Sequence, residues 1–152
     1  MKYIILDLDN VIADDGWRIS HIKNKSVAVF ERYHDYQLLA GFDELCNENL
    51  FRGRNCEIII STGRSSFYKA IATYWLHHHN IKHHTLMMRD ANDERTSLAV
   101  KRNHMRRIMY LANDIHTVYD DHPKVIEMYR AAGIQARQIL IHSRKLYKGA
   151  DA

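Results

Sequence analysis

Two aspartates separated by one residue, Asp7 and Asp9, stand directly after an apolar run near the start of the chain. A run of β-branched and apolar residues without a polar member is typical of a buried strand in a parallel sheet. Since side chains alternate along a strand, both carboxylates can face one site at its carboxyl end, where open α/β sheets bind ligands. Carboxylates this close repel each other, which favours a cation site or a reaction. A polar turn is the other interpretation, and the pair alone does not decide between them.

Further polar groups stand at two later strand ends and on one helix. These are Ser61 and Thr62 after residues 58–60, Asp120 and Asp121 after residues 117–119, and Lys101. We expect the strand ends to line one crevice with Asp7 and Asp9, because parallel strands present their carboxyl ends at the same edge. Phosphoryl transfer through an aspartyl-phosphate requires a carboxylate nucleophile, acids that hold a metal, and a hydroxyl and an ammonium that hold the phosphoryl oxygens.

The elements that position these groups alternate between strands and helices. Strands are predicted at residues 4–6, 58–60, 85–88, 117–119 and 136–141, and helices at residues 43–51, 65–79, 96–111 and 123–132. This alternation predicts a Rossmann-like three-layer α/β/α fold with a mainly parallel sheet. Residues 12–41 are expected to be irregular, and without a repeat or linker the chain is predicted to form a single domain over residues 1–152. The expected buried positions are Phe42, Leu45, Leu50 and Phe51 for the first helix, and Phe67, Ala70, Ile71, Tyr74 and Trp75 for the second.

Charge is unevenly distributed along the chain. The 152 residues carry a formal net charge of +4, yet residues 1–49 carry −4, residues 50–110 carry +7 and residues 111–152 carry +1. A basic middle segment beside an acidic strand end predicts a polyanionic substrate, either a nucleic acid or a small phosphate. No apolar stretch is long enough to cross a bilayer, the first strand leaves no room for a signal peptide, and Cys46 and Cys56 lack metal-ligand spacing. A cytoplasmic protein with reduced thiols is therefore expected.

In order and placement, these groups resemble the four motifs of the haloacid dehalogenase superfamily. The matches are Asp7-Leu8-Asp9-Asn10-Val11 for the first motif, residues 58–62 for the second, Lys101 for the third and Asp120-Asp121 for the fourth. The resemblance implies the Rossmann-like fold of that superfamily, with residues 12–41 as a small cap that leaves the crevice open. Asn10 replaces the glycine that often follows the family's second acid, and asparagine tolerates the left-handed backbone of that turn.

Within the superfamily, the second half of the chain is similar to the 3′-phosphatase domains of bacteriophage polynucleotide kinase–phosphatases. The similar stretches are Thr62-Gly63-Arg64 and residues 95–101, 120–121, 125–130 and 133–134. The resemblance implies a polynucleotide 3′-phosphatase of nucleic-acid end repair, of phage origin and located in the host cytoplasm. The sequence contains no phosphate-binding loop of the kinase type, so no kinase half is predicted.

The resemblance also implies roles for individual residues. Asp7 would be the nucleophile, and Asp9 would protonate the leaving oxygen and later deprotonate the hydrolytic water. Mg²⁺ would be bound by Asp7, the backbone carbonyl of Asp9 and one acid of the pair Asp120 and Asp121, with Asp120 favoured. The other implied contacts to the phosphoryl group or the substrate are Thr62, Lys101, Ser61, Gly63, Arg64 and Arg95.

Two other functions remain open from the residues. A 5′(3′)-nucleotidase acting on (deoxy)nucleoside monophosphates would use the same site, with residues 12–41 closing over the base. A non-catalytic nucleic-acid-binding module is the alternative outside enzymes, and the intact set of acids and lysine argues against it. The expected partners are a phosphorylated nucleic-acid end or a nucleotide and no membrane, and a homo-oligomer is compatible with the sequence. The basic tail from His142 is expected to be loose.

Overall fold

The computed structural model describes residues 1–143, and a parallel β-sheet forms its centre. The strands are β1 (Tyr3–Leu6), β2 (Ala13–Asp14), β3 (Glu44–Leu45), β4 (Glu57–Ser65), β5 (Thr85–Arg89), β6 (Ile115–Asp120) and β7 (Ala136–Gln138). The α-helices are α1 (Ser20–Lys23), α2 (Val29–Leu38), α3 (Lys69–His78), α4 (Ser97–Leu111) and α5 (Pro123–Ala131), and 3₁₀ turns lie at Gly16–Arg18, Leu39–Phe42, Glu48–Leu50 and Ser66–Tyr68. None of these helices, all within residues 1–143, has the length and apolar content that crossing a bilayer requires.

Five strands form the sheet in the order β5-β4-β1-β6-β7, and all of them run parallel. The central strand is β1, whose apolar side chains suit a strand that is covered on both faces. It pairs with β4 through Ile4 and Ile58, and with β6 through Leu6 and Tyr119. The carboxyl ends of β1, β4 and β6 therefore meet at one edge of the sheet, as the sequence predicts.

The side chains of β1 alternate between two hydrophobic cores, one on each face of the sheet. Ile4 and Leu6 belong to the core that contains Trp75 of α3. Ile5 belongs to the core that contains Ile108 of α4 together with residues of α5. Helices thus cover both faces, which confirms the predicted Rossmann-like three-layer fold.

Residues 12–41 are more regular than the sequence predicts. They contain β2, α1 and α2, and β2 pairs with β3 in a two-stranded antiparallel ribbon. No side chain caps α2 at Ala28, and Tyr36 is its single fully buried residue. The two signals that identify helices in a sequence, capping and hydrophobic periodicity, are therefore both weak in this segment.

The prediction of a helix over residues 43–51 is wrong. The segment begins with the short strand β3, and only the single turn Glu48–Leu50 is helical. Between them Asn47 takes a left-handed conformation with φ of 55°, which a continuous helix does not allow. Phe51 is buried as predicted, whereas Phe42 is 75% exposed.

The predicted helix over residues 65–79 is confirmed as α3, but most of its predicted buried face is wrong. A 3₁₀ turn precedes α3, and its tighter winding changes the direction in which the following side chains point. The buried residues of α3 are Ala72, Trp75 and Leu76, while Phe67 and Tyr74 are exposed. The helices predicted at 96–111 and 123–132 are confirmed as α4 and α5, and the last strand is shorter than predicted.

The segment after β7 is tied to the loop that follows β1. Asn10 has a φ of 64°, the left-handed conformation predicted for its turn. Its Nδ2 donates a hydrogen bond to the backbone oxygen of His142 at 2.8 Å, and its Oδ1 accepts one from the His142 N–H at 2.7 Å. His142 is therefore held rather than loose, and the rest of the predicted tail, residues 144–152, lies outside the described residues.

Candidate active site

Asp7 lies at the carboxyl end of β1, where the sheet edge opens into a cleft. Its backbone N–H donates to the carbonyl of Tyr119 at 3.0 Å, which continues the pairing of β1 with β6 by one residue. Its Oδ1 accepts a hydrogen bond from the Leu8 N–H at 2.9 Å. These two bonds fix both the backbone and the carboxylate of Asp7 at the base of the cleft.

Two further carboxylates lie beside Asp7, at the end of β6. Asp7, Asp120 and Asp121 are buried, and each offers a carboxylate oxygen within 4.8 Å of the other two. The His122 N–H donates to Asp120 Oδ1 at 2.9 Å, and Asn10 Nδ2 lies 3.3 Å from Asp121 Oδ2. We call Asp7, Asp120 and Asp121 the acidic trio; it joins the acids of the first and fourth predicted motifs.

Lys101 of α4 places a positive charge against the acidic trio. Its Nζ lies 3.1 Å from Asp7 Oδ1 and 2.8 Å from Asp120 Oδ2, and it also donates to the backbone carbonyl of Ser61. The side chain is buried between α4 and the sheet edge. Burial lowers the pKa of Lys101, but the two carboxylates outweigh this effect and hold the pKa above its usual range. Lys101 is therefore charged at every physiological pH.

The charge of this cluster fits a divalent cation. Three ionised carboxylates and one ammonium leave a formal charge of −2. Burial raises the pKa of Asp7 to about 7 against the opposing charge of Lys101, and burial also raises the pKa of Asp121 well above its usual range. A raised pKa means that the charges around a buried carboxylate do not fully stabilise its ionised form, so an additional cation would be favourable there. Clustered carboxylate oxygens are the ligands that Mg²⁺ prefers, so the trio suits that ion.

Asp9 lies apart from the acidic trio and is held by two guanidinium groups. Arg64 donates to it from Nε at 3.0 Å and from Nη2 at 2.7 Å, and Arg18 Nη2 donates at 2.8 Å. Burial raises the pKa of Asp9, but Arg64 and Arg18 outweigh this effect and keep the pKa well below its usual range. Asp9 is therefore a carboxylate in this conformation.

Arg18 and Asp43 complete the support of Asp9, and the sequence did not single out either residue. Arg18 is fully buried, and it meets Asp43 through Nε at 2.8 Å and Nη2 at 2.7 Å. Its guanidinium also lies 4.0 Å from the centre of the Tyr36 ring. The Asp43 carboxylate accepts from Trp17 Nε1 at 2.9 Å. Two arginines and two aspartates thus form a buried ion-pair network of zero formal charge beside the trio. No local sequence signal marks Arg18, because an arginine is expected at the surface unless a distant partner is known.

A cleft of about 190 Å³ joins the two groups of charged residues. Its base is formed by the acidic trio, Lys101 and Asp9, and one wall by Gly63 and Arg64 at the end of β4. Other parts of the lining come from α1 and α2, namely Ile22, Tyr33, Tyr36 and Gln37. Arg64 keeps one buried donor, Nη1, without a hydrogen-bond partner among the described residues. The cleft therefore pairs carboxylates that attract a cation with an arginine that still has a donor for an anion.

Three predicted site residues do not line this cleft. Ser61 and Thr62 are buried under it; the Ser61 hydroxyl pairs with His104, and the Thr62 hydroxyl accepts from the Arg64 N–H at 3.2 Å. Arg95 is exposed and pairs with Asp93 instead, at 2.9 and 2.7 Å. A role for these three residues toward a substrate stays a prediction.

His104 of α4 explains why Ser61 points away from the cleft. Its Nδ1 lies 2.8 Å from the Ser61 hydroxyl, and its Nε2 lies 3.1 Å from the carbonyl of Met88. The Nε2 proton is therefore donated to Met88, and Nδ1 accepts from Ser61, which is the pattern of a neutral imidazole. Burial and the nearby charge of Lys101 lower the pKa of His104 to about 4.

His104 is expected to make folding stability fall as the pH drops from 7 to 5. Between pH 7 and pH 5 the imidazole of His104 takes up a proton only in the unfolded chain, where the histidine pKa is about 6.5. This preferential protonation removes about 2 kcal/mol from the free energy of unfolding. In His104→Gln the free energy of unfolding should fall by about 2 kcal/mol less between pH 7 and pH 5 than it does in the wild type, whatever the stability of the variant at pH 7. Urea unfolding at both pH values measures it, with the exposed His77→Gln as the control. Equal losses in the wild type and His104→Gln would show that His104 is not buried in its neutral form.

The sequence matches one family model over almost all of its described length. That family is described as the polynucleotide kinase PNKP phosphatase domain, and the match covers residues 1–141. No curated protein matches the chain.

Solved structures share the fold at low sequence identity. A chain of the Pnkp1/Rnl/Hen1 RNA repair complex is 19% identical with a TM-score of 0.69, and the match covers 91% of this chain and 42% of that one. A second structure of a Pnkp1/Rnl/Hen1 complex gives 21% identity and a TM-score of 0.68, covering 91% and 45%. A haloacid dehalogenase-like hydrolase from Streptococcus pneumoniae is 12% identical with a TM-score of 0.60, covering 88% and 82%. The chain thus spans less than half the length of the first two chains that it matches.

Proposed function

Because the chain belongs to the family of polynucleotide kinase PNKP phosphatase domains, we propose that it removes 3′-phosphates from nucleic-acid ends in a Mg²⁺-dependent reaction. It is a phosphatase with the fold of haloacid dehalogenase-like hydrolases. The observation that carries the proposal is the convergence of the acidic trio and Lys101 at the base of the cleft. A phosphate group placed there would meet a nucleophile, a cation site and a fixed ammonium together.

In this proposal Mg²⁺ is bound by Asp7, the backbone carbonyl of Asp9 and an acid of the pair Asp120 and Asp121. When bound, it neutralises part of the charge on the phosphate and on the carboxylates. The formal charge of −2 in the metal-free cluster supports this assignment. Both oxygens of Asp120 already accept hydrogen bonds, one from Lys101 and one from the His122 N–H. Lys101 fixes Asp7 and Asp120 in position whether or not the metal is present.

The chemistry follows from the positions of Asp7 and Asp9. An oxygen of Asp7 attacks phosphorus, the bond from phosphorus to the leaving oxygen breaks, and that oxygen takes a proton from Asp9. Asp9, now a carboxylate, removes a proton from water, which attacks the aspartyl-phosphate and releases phosphate and free Asp7. Arg64 and Arg18 favour the carboxylate form of Asp9 that the second step needs. Arg64 Nη1, which has no hydrogen-bond partner among the described residues, would donate to a phosphoryl oxygen, and the negative charge of the phosphate would raise the pKa of Asp9 toward the protonated form that the first step needs.

The size of the cleft supports a polynucleotide end over a free nucleotide. Pockets that enclose small molecules have volumes of roughly 300–1,000 Å³. The cleft has about 190 Å³, which suits a phosphate and leaves the attached nucleoside outside. The net charge of +7 over residues 50–110 supports a polyanionic substrate as well. We further propose that the chain forms one phosphatase domain in which residues 12–41 are a small cap.

The substrate is tested by a direct comparison of two phosphate classes. Wild-type protein with Mg²⁺ should hydrolyse a 3′-phosphorylated single-stranded oligonucleotide with a kcat/KM at least about 10-fold above that for deoxynucleoside 3′- and 5′-monophosphates, because only the oligonucleotide reaches surfaces outside the cleft. Phosphate release measures both reactions, and added EDTA should stop both. A preference for monophosphates would favour the nucleotidase, and binding of the oligonucleotide without hydrolysis of any substrate would favour the non-catalytic module.

A further inference from the structure

Four aromatic side chains form an exposed patch next to α2. We call Phe30, His34, Phe67 and Tyr68 the aromatic patch. The rings of Phe30 and His34 stack with centres 5.8 Å apart and planes 8° apart, and Phe67 meets Tyr68 edge-on at 5.0 Å. His34 Nδ1 lies 2.6 Å from the Tyr68 hydroxyl, which joins α2 to the turn after β4. Phe30 is 78% exposed and Phe67 is 70% exposed, so these large rings contribute little to the core.

The aromatic patch is continuous with the candidate active site on two sides. Tyr33 and Gln37 follow Phe30 at spacings of three and seven residues, which places them on the same face of α2. Both residues line the wall of the cleft. Phe67 comes three residues after Arg64 of β4, which also lines the cleft. The patch therefore adjoins two parts of the cleft lining, one on α2 and one at the end of β4, which places it beside the path of the part of a substrate beyond its phosphate.

We propose that the aromatic patch stacks against an unpaired base next to the 3′-phosphate of a nucleic-acid end. This inference rests on the proposed function. A phosphate at the base of a small cleft leaves its nucleoside at the mouth, against Phe30 and Phe67. Every base has a flat π-face, so aromatic rings bind single strands without reading their sequence.

The patch has the properties of a stacking platform. The contact between His34 and Tyr68 connects the two elements that carry its rings, so the platform is already assembled in the free protein. Lys69 follows Tyr68 directly and is exposed, which supplies a cation beside the rings for a backbone phosphate. A base inside a duplex has both faces covered by its neighbours, whereas a base of a single strand is free to turn a face onto such a platform.

The experiment compares three substrates: a 3′-phosphorylated single-stranded oligonucleotide, the same strand with an abasic terminal nucleotide, and p-nitrophenyl phosphate. Phe67→Ala and Phe30→Ala should each lower the ratio of kcat/KM for the oligonucleotide to kcat/KM for p-nitrophenyl phosphate by about 10-fold, mainly through KM. Tyr110→Ala, which removes an 88% exposed ring from α4, should leave this ratio unchanged. Phe67→Trp should restore it, because tryptophan keeps a flat aromatic face.

The abasic substrate separates stacking from a general loss of structure. The kcat/KM of the wild-type protein should fall on the abasic strand by about as much as the kcat/KM of Phe67→Ala falls on the intact strand. Phe67→Ala acting on the abasic strand should show little further loss, because the stacking contact is already absent. Independent, additive losses would overturn the inference, and so would an unchanged substrate ratio in both alanine variants. If the wild-type protein is a dimer, and Phe67→Ala dissociates it without changing the substrate ratio, the patch binds a second copy of the chain instead. A wild-type preference for monophosphates would overturn the proposed function together with this inference, whereas normal oligonucleotide turnover by Phe67→Ala overturns the inference alone.

Discussion

Asp7→Asn is expected to lower kcat by at least about 10⁴-fold and to leave the protein folded, because an amide cannot replace the carboxylate as nucleophile. Asparagine has almost the same shape, and the hydrogen bond from the Leu8 N–H to the side-chain oxygen can persist. Release of phosphate from p-nitrophenyl phosphate measures the loss without any assumption about the natural substrate. Retained turnover would show that Asp7 is not the nucleophile.

Stability distinguishes this loss of chemistry from a loss of folding. Burial holds the pKa of Asp7 at about 7 in the folded protein, above the value of about 4 for an unfolded chain. The ionised carboxylate therefore disfavours the folded state as the pH rises above 4, and its effect is complete above pH 7. Without metal at pH 8, Asp7→Asn should have a Tm equal to or above that of the wild type. The exposed Asp114→Asn serves as the control and should change neither activity nor Tm. A large fall in Tm would contradict the placement of Asp7 in the trio.

Lys101→Met is expected to cause the largest loss of stability among the site variants. Methionine fills a similar volume, but it removes the charge that lies against Asp7 and Asp120 and the donor to the Ser61 carbonyl. Breaking a buried ion pair on one side costs about 3–5 kcal/mol. Urea unfolding in EDTA should therefore show a loss of that size, while the exposed neighbour Arg102→Met should show almost none. Equal stabilities would mean that water compensates for the lost ammonium.

Two additions to this experiment test the charge argument itself. Mg²⁺ should recover part of the Tm of Lys101→Met, because a divalent cation supplies charge to the same carboxylates. Asp7→Asn should stabilise the Lys101→Met variant by more than it stabilises the wild type, because the acid that it neutralises has then lost its compensating ammonium. An equal effect of Asp7→Asn in the two backgrounds would contradict a direct interaction between the two side chains. Activity should stay low in all these variants.

The central part of the fold could be predicted from the sequence because its signals are local. The apolar run before Asp7 marks a buried strand wherever it occurs, β4 carries the same signal in Ile58–Ile60, and β6 carries a shorter one in Val118 and Tyr119. The acids at the ends of β1 and β6 could be placed together because parallel strands share an edge, and the structure brings Asp7 and Asp120 into one cluster. The pattern of alternation was enough to predict this edge.

The support of Asp9 could not be predicted, because it depends on contacts between residues far apart in the sequence. Arg18 and Asp43 are 25 residues apart, and no local pattern in the sequence connects them. Both side chains can be buried only because they pair with each other, so the hydropathy of the surrounding sequence does not indicate their burial. The prediction that Phe42 is buried was wrong for a related reason. A helix was assigned from apolar spacing alone, and the left-handed Asn47 breaks the segment.

The position of β1 has a consequence for how the protein is made. It leaves the ribosome before both of its sheet partners, which begin at Glu57 and Ile115, so the strand that leads to Asp7 is unpaired until β4 emerges and gains its second partner only with β6. Pairings this distant in the chain form slowly. The contact between Asn10 and His142 cannot form until nearly all the described chain has emerged. A nascent chain that stops before β6 therefore holds Asp7 without Asp120 and Asp121, and the acidic trio becomes complete only after β6 has emerged.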